Sequence, residues 1–105
     1  MLGQTMNQTG GELRPALTSL QGQYLAFIHA YTLVNGQPPA EHEMMRFFQV
    51  TPPTAHRMVV ALAQAGLISR QPGKPRSIVV LVREDDLPRL KPGFGQTVKT
   101  TVQRS

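Results

Sequence analysis

The chain has 105 residues, a length for one domain with a modest core, and no cysteine, which excludes a disulfide framework and any thiolate metal site. Its polar first eleven residues hold no signal-like apolar run. No stretch approaches the roughly 20 apolar residues of a membrane span, so a cytoplasmic protein without membrane contact is expected. Eleven Lys and Arg against six Asp and Glu give a net charge of +5, an excess that favours a polyanionic partner.

Residues 1–16 are rich in Gly, Gln and Thr and lack a hydrophobic period, which predicts a flexible arm. Thr18 and Gln21 then have the spacing of a capping box, with Leu17 as the outer half of a hydrophobic staple. Leu20, Tyr24, Phe27, Ile28 and Tyr31 recur at helical intervals and predict one buried face. Gly22 lies inside this first helix at a cost of about 1 kcal/mol against Ala, and Asn35-Gly36 closes it. Gln37-Pro38-Pro39 is a stiff connector, because proline fixes its own φ and keeps its predecessor out of the helical region.

A short second helix is expected over 40–48. Glu41 and Glu43 fall in its first turn, where carboxylates suit the helix dipole, and Met44, Phe47 and Phe48 form its apolar face. Gln49 and Val50 leave room only for a turn, with Val50 directed into the core. Thr51 is a favourable N-cap for a third helix and Pro52 a favourable first residue. Met58, Val59, Leu62 and Ala55 are candidates for its inner side, and Gly66 ends it. Leu67–Gln71 and Ser77–Val82 read as strands around the loop Pro72-Gly73-Lys74-Pro75. Ile68, Ile78, Val80 and Val82 are placed to face the helices. Residues 84–105 form an extension expected to be largely flexible, in which Leu87-Pro88-Arg89-Leu90 is suited to dock back.

The expected fold is therefore mainly α with a small β-hairpin, a winged helix-turn-helix over residues 17–83 between an arm and an extension. Helix, short helix, tight turn, capped helix and basic hairpin make a shape that suits double-stranded DNA. A helix fits the major groove with its N-terminal residues at base edges, and a basic hairpin supplies cations to phosphates. The charge distribution agrees. Between Met44 and Arg83 stand Arg46, Arg57, Arg70, Lys74, Arg76 and Arg83, with no Asp or Glu.

Residues 17–82 resemble the N-terminal DNA-binding domain of LexA-type repressors. The matching features are Leu17-Thr18, Gly36-Gln37-Pro38-Pro39, and Ala61-Leu62-Ala63-Gln64-Ala65-Gly66-Leu67-Ile68, with Pro52-Pro53-Thr54-Ala55-His56-Arg57-Met58-Val59 at the start of the family's recognition helix. The resemblance implies sequence-specific binding of double-stranded DNA and repressor-like transcriptional regulation by site occupancy. Its readers map to Thr51, Thr54, Ala55, His56 and Arg57. Thr54 suits a phosphate or a thymine methyl, and Arg57 suits guanine. Lys74 and Arg76 suit phosphates or the minor groove, and Arg46 and Arg70 are further phosphate candidates.

The sequence also departs from the family. LexA-type repressors continue into a self-cleaving serine peptidase domain, whereas only about twenty residues follow the hairpin here, so no self-cleavage is expected. Ala40 stands where the family has a capping hydroxyl. The recognition-helix start lacks the family's usual Asn and Glu, so a different operator is expected.

No enzyme, cofactor, metal or small-molecule ligand is indicated. His42-Glu43-Met44-Met45-Arg46 begins like a zinc-protease motif but has Arg where the second His is needed. Gly93-Phe94-Gly95 follows no strand, and Glu84-Asp85-Asp86 reads as a solvated turn. His29 reads as a packing or surface residue. The alternative is a winged-helix protein-interaction module without DNA binding, docking through strand 78–82 or the tails. Homodimerisation is left open.

Overall fold

In the computed structural model, which describes residues 16–91, three helices precede a short hairpin. They are α1 (Ser19–Asn35), α2 (Glu41–Phe48) and α3 (Pro52–Gln64), followed by β1 (Ile68–Ser69), β2 (Val79–Val80) and a 3-10 turn at Glu84–Asp86. The arm expected up to residue 16 lies outside the described residues except for its last residue. The tail beyond residue 91, with Gly93-Phe94-Gly95, lies outside them too.

Helix α1 starts where its capping box predicts. The Gln21 N–H donates to Thr18 Oγ1 and the Thr18 N–H donates to Gln21 Oε1, each at 3.0 Å. Gly36 ends it at φ 77°, a left-handed cap that a side chain would strain. Seven consecutive residues, Gly22 to Ile28, are buried, more than one helical stripe. The apolar core covers Tyr24, Leu25, Phe27 and Ile28, while residues 88–91 cover Gly22 and Gln23. Neither layer reaches Leu20, which is 39% exposed and not part of the buried face its spacing predicts.

Aromatic rings lock α2 onto α1. Tyr24 and Phe48 stack at 3.9 Å, Phe27 and Phe47 at 4.5 Å, and Phe48 meets Phe27 edge-on at 5.7 Å. Ala40 has no side chain with which to cap α2, so Glu43 supplies the available half of a box and accepts from the Ala40 N–H at 2.7 Å. Gln49 closes α2 in the left-handed conformation, φ 58°, and the half-buried Val50 packs on the core as it enters α3. Val59 and Leu62 of α3 are fully buried beneath these rings.

The hairpin pairs only Ile68 with Val80 and Ser69 with Val79, plus a Leu81 N–H to Leu67 O bond of 2.9 Å. The longer strands that the β-branched run predicts do not form. Pro72 and Pro75 have no N–H for a ladder, and the Gln71 N–H is taken by Ser77 Oγ at 2.9 Å. Leu67, Ile68, Ile78 and Val82 are buried in the core cluster, and Val80 packs partly against it.

Past the 3-10 turn, residues 87–91 run back over α1 as a strap. Leu87 and Leu90 pack against the core. The buried Gln23 amide donates to Arg89 O at 2.9 Å and accepts from the Lys91 N–H at 2.8 Å. Pro88 lies so close to Gly22 that a Cβ there would stand 2.8 Å from Pro88 Cγ, which gives the helix-interior glycine its reason.

Candidate nucleic-acid interface

The exposed first turns of α3 carry a chain of hydrogen bonds. Thr51 Oγ1 accepts from the Thr54 N–H at 3.4 Å and donates to Thr54 Oγ1 at 2.9 Å, and Arg57 Nη2 donates to Thr54 Oγ1 at 3.4 Å. The spacing of three puts these side chains on one ridge. The ridge offers a guanidinium and two hydroxyls, a set that can contact phosphates and base edges. Ala55 does not belong to it. Its exposure is 0%, because it shares the inward face with Val59 and Leu62, so it is withdrawn as a base reader.

His56 is exposed but tethered. Its Nδ1 lies 3.1 Å from both carboxylate oxygens of Glu41, in the first turn of α2. This pair fixes the recognition-helix candidate α3 to the helix before it at their solvent edge.

Across from His56 stands the wing. Gln71 to Lys74 form a tight turn closed by the Lys74 N–H on Gln71 O at 3.0 Å, with Pro72 at its second position and Gly73 at its third. Gly73 has φ 80°, the left-handed value this turn requires. Ser77 Oγ ties the turn from below, donating to Lys74 O at 2.8 Å. Arg70 and Lys74 thereby line one cleft of about 370 Å³ together with His56, Glu41 and Arg76.

Arg76, expected to reach phosphates, is committed elsewhere. Its Nη2 meets Glu43 Oε2 at 2.9 Å, and its Nη1 donates to Tyr31 Oη and Pro38 O, each at 3.3 Å. Its backbone is left-handed, φ 57°, an uncommon state for a residue with a side chain. The guanidinium thus joins the wing to α1, α2 and the connector between them, so Arg76 is a structural tie instead of a free cation. The hydrogen bond it donates to Glu43 makes it hold its proton still more firmly, as does that to Tyr31. On Glu43, burial pushes the pKa up. The hydrogen bonds from Arg76 and the Ala40 N–H, with the charges of Arg76 and His42, overcome it and leave the carboxyl below its ordinary value.

Arg46 is exposed at the end of α2, in a separate groove lined by Phe27, Tyr31, Glu43, Phe47 and Gln49. It does not join the cleft of Arg70 and Lys74. Among the described residues, Glu41 faces His56, Glu43 faces Arg76, Glu84 faces His29 at 3.6 Å and Asp85 faces Arg83 at 3.6 Å. Among the described residues, Arg46, Arg57, Arg70 and Lys74 have no carboxylate within ion-pair distance. In the wing cleft Arg70 and Lys74 outnumber Glu41, so the surface of the α3 ridge and the wing stays net positive.

Three residues that build this surface were not legible as site residues: Glu41, Glu43 and Tyr31. Both glutamates read only as good dipole partners, and nothing in local spacing signals a bond to Arg76, 33 residues on from Glu43. Among the described residues, no group of three His, Asp or Glu side chains is placed to hold a metal ion, and no helix is long and apolar enough to cross a membrane.

Comparison with known proteins adds a family match. The LexA DNA binding domain model matches residues 14–77. A LexA repressor of Thermotoga neapolitana is 42% identical over 64 residues, which cover 61% of this chain and 32% of that protein. LexA repressors of Thermosipho melanesiensis and Thermosipho africanus are 37% and 38% identical over 71 and 69 residues, covering 68% and 66% of this chain and 36% and 35% of theirs. The chain spans about a third of the length of these relatives.

Proposed function

The chain belongs to the LexA DNA-binding domain family, and on that premise we propose that it binds double-stranded DNA sequence-specifically and represses transcription by occupying its site. The observation that carries the proposal is the set of cations with no carboxylate partner among the described residues, Arg57 on the α3 ridge and Arg70 and Lys74 in the wing cleft, beside the half-buried Thr54 and the exposed Thr51 and His56. In this reading α3 enters the major groove N-terminus first. Thr54, His56 and Arg57 meet base edges there, and Thr51 meets the flanking phosphate. Arg70 and Lys74 take phosphates beside the groove, and Arg46 takes one at the far end of α2. Glu43 and Arg76 touch no DNA and set the angle of the wing. The proposal assigns the chain no catalytic step.

One such module reads few base pairs. Binding as a homodimer to two half-sites about one helical turn apart would multiply its specificity. The test is selection from a random-sequence duplex pool at near-physiological salt, followed by a salt titration on the enriched duplex. Enrichment of a defined motif is expected. The three cationic phosphate contacts, from Arg46, Arg70 and Lys74, give a slope of log K against log salt of about −3 per module. No enrichment together with a flat slope would refute the proposal.

A further inference from the structure

We propose that Glu41 is a specificity-positioning residue: it fixes the His56 ring so that Nε2 reads, as a hydrogen-bond acceptor, the exocyclic amino group of one adenine or cytosine. This inference rests on the DNA-binding reading above and deepens it. An ionised carboxylate can only accept, so a hydrogen bond between Glu41 and His56 requires the proton on Nδ1. The Nδ1 atom is 3.1 Å from both carboxylate oxygens, a symmetric approach that fixes the ring's orientation as well as its tautomer. With the proton on Nδ1, Nε2 of the neutral ring carries a lone pair. It lies across the ring from Glu41 and makes no hydrogen bond among the described residues, while the His56 side chain remains 55% exposed.

In the major groove, the donors that such an acceptor can meet are the N6 amino group of adenine and the N4 amino group of cytosine. Guanine presents only acceptors on that edge. An untethered imidazole could present either tautomer and would read less strictly. The helix before α3 therefore contributes to base choice without touching DNA. The pair joins residues 15 apart, and both side chains lie at the edge of the wing cleft beside Arg70 and Lys74.

The test compares wild-type protein, Glu41→Ala and His56→Ala in the same duplex selection. Imidazole ¹⁵N shifts are recorded on the free proteins at alkaline pH. Wild type is expected to enrich one base pair at the position that depends on His56, and removing the exocyclic amino group of its adenine or cytosine should weaken wild-type binding but not that of His56→Ala. His56→Ala should relax that preference about fivefold, the value of one hydrogen bond, and Glu41→Ala should relax the same position while leaving the others intact. The shifts should show His56 protonated at Nδ1 in wild type and a mixed tautomer in Glu41→Ala. Three outcomes overturn the inference while leaving DNA binding standing: unchanged preference in Glu41→Ala, undiminished wild-type affinity for a duplex in which purine replaces that adenine or 2-pyrimidinone replaces that cytosine and so removes the amino group, or a wild-type ring protonated at Nε2. A wild-type protein that enriches no motif overturns the DNA-binding reading itself, and this inference with it.

Discussion

Replacing Gly22 by Ala should destabilise the protein, although the same change in most helix interiors stabilises. Ala is better than Gly inside a helix by about 1 kcal/mol. Here the new Cβ would lie 2.8 Å from Pro88 Cγ and 3.3 Å from Pro88 Cδ, whereas ordinary contact begins near 3.4 Å. The strap must retreat by about 0.6 Å, and a proline ring cannot swing aside as a long side chain would. That retreat strains the two Gln23 bonds, of 2.9 and 2.8 Å, and loosens the packing of Leu87 and Leu90. Each bond contributes about 1 kcal/mol, and each half-buried leucine contributes about the same. Losing half of this total outweighs the helix gain and leaves a net cost of about 1 kcal/mol. For a domain of this size, that lowers Tm by about 4–8 °C in a calorimetric or circular-dichroism melt. A Tm that rises in Gly22→Ala would refute the reasoning. The control is Pro88→Ala, which removes Cγ and Cδ and leaves only a Cβ at 3.9 Å. In that background Gly22→Ala should raise Tm.

Glu43 supplies a pH dependence. Its carboxyl sits below its ordinary value in the folded protein, so its contribution is complete above the unfolded-state value and is lost as the pH falls through the glutamate range and below. A Tm–pH profile of Glu43→Gln should be flatter across that acid limb than the wild type's, and an unchanged limb would count against the tie to Arg76. In DNA titrations, Lys74→Ala should reduce the salt slope by about 1. Arg76→Ala should lower Tm and weaken binding through the displaced wing instead; equal salt-slope losses in both variants would contradict the assignment. Thr18→Ala should cost about 1 kcal/mol. Thr51→Ala should cost less, about 0.5 kcal/mol, because the Thr54 N–H reaches Thr51 Oγ1 at 3.4 Å while the Thr18 bond is 3.0 Å. Denaturant melts showing the reverse order would refute this ranking.

Local chemistry made the frame readable. Thr18 with Gln21, Gly36, Thr51 with Pro52, and Pro72-Gly73 each act within a few residues, so their helices, cap and turn follow directly from sequence. The apolar faces of α2 and α3 were legible for the same reason. What was not legible depends on contacts between distant segments. Arg76 reads as one more cation at a loop tip until Glu43, Tyr31 and Pro38 are seen around it. Ala55 sits at a position where the family resemblance implies a reader, yet its side chain is fully buried. Gly22 reads as a defect in α1 until Pro88, 66 positions later, occupies the space its missing Cβ leaves. Hydrophobic period places Leu20 inside, but period describes one helix and not what covers it. The unpaired state of Arg57, Arg70 and Lys74 was foreshadowed by the acid-free run from Met44 to Arg83, because that stretch offers no carboxylate nearby in sequence.

Amide and side-chain chemical-shift mapping on the wild-type protein, titrated with its enriched duplex, tests the central claim most directly. The account predicts the largest changes at Thr51–Arg57, excluding the side chain of Ala55, and at Arg70–Lys74. It predicts small ones at Leu33 and Val34, which are 71% and 82% exposed and lie outside the proposed surface. Changes centred on Leu33 and Val34, or on the exposed Val79 and Leu81, with the start of α3 unmoved, would contradict it.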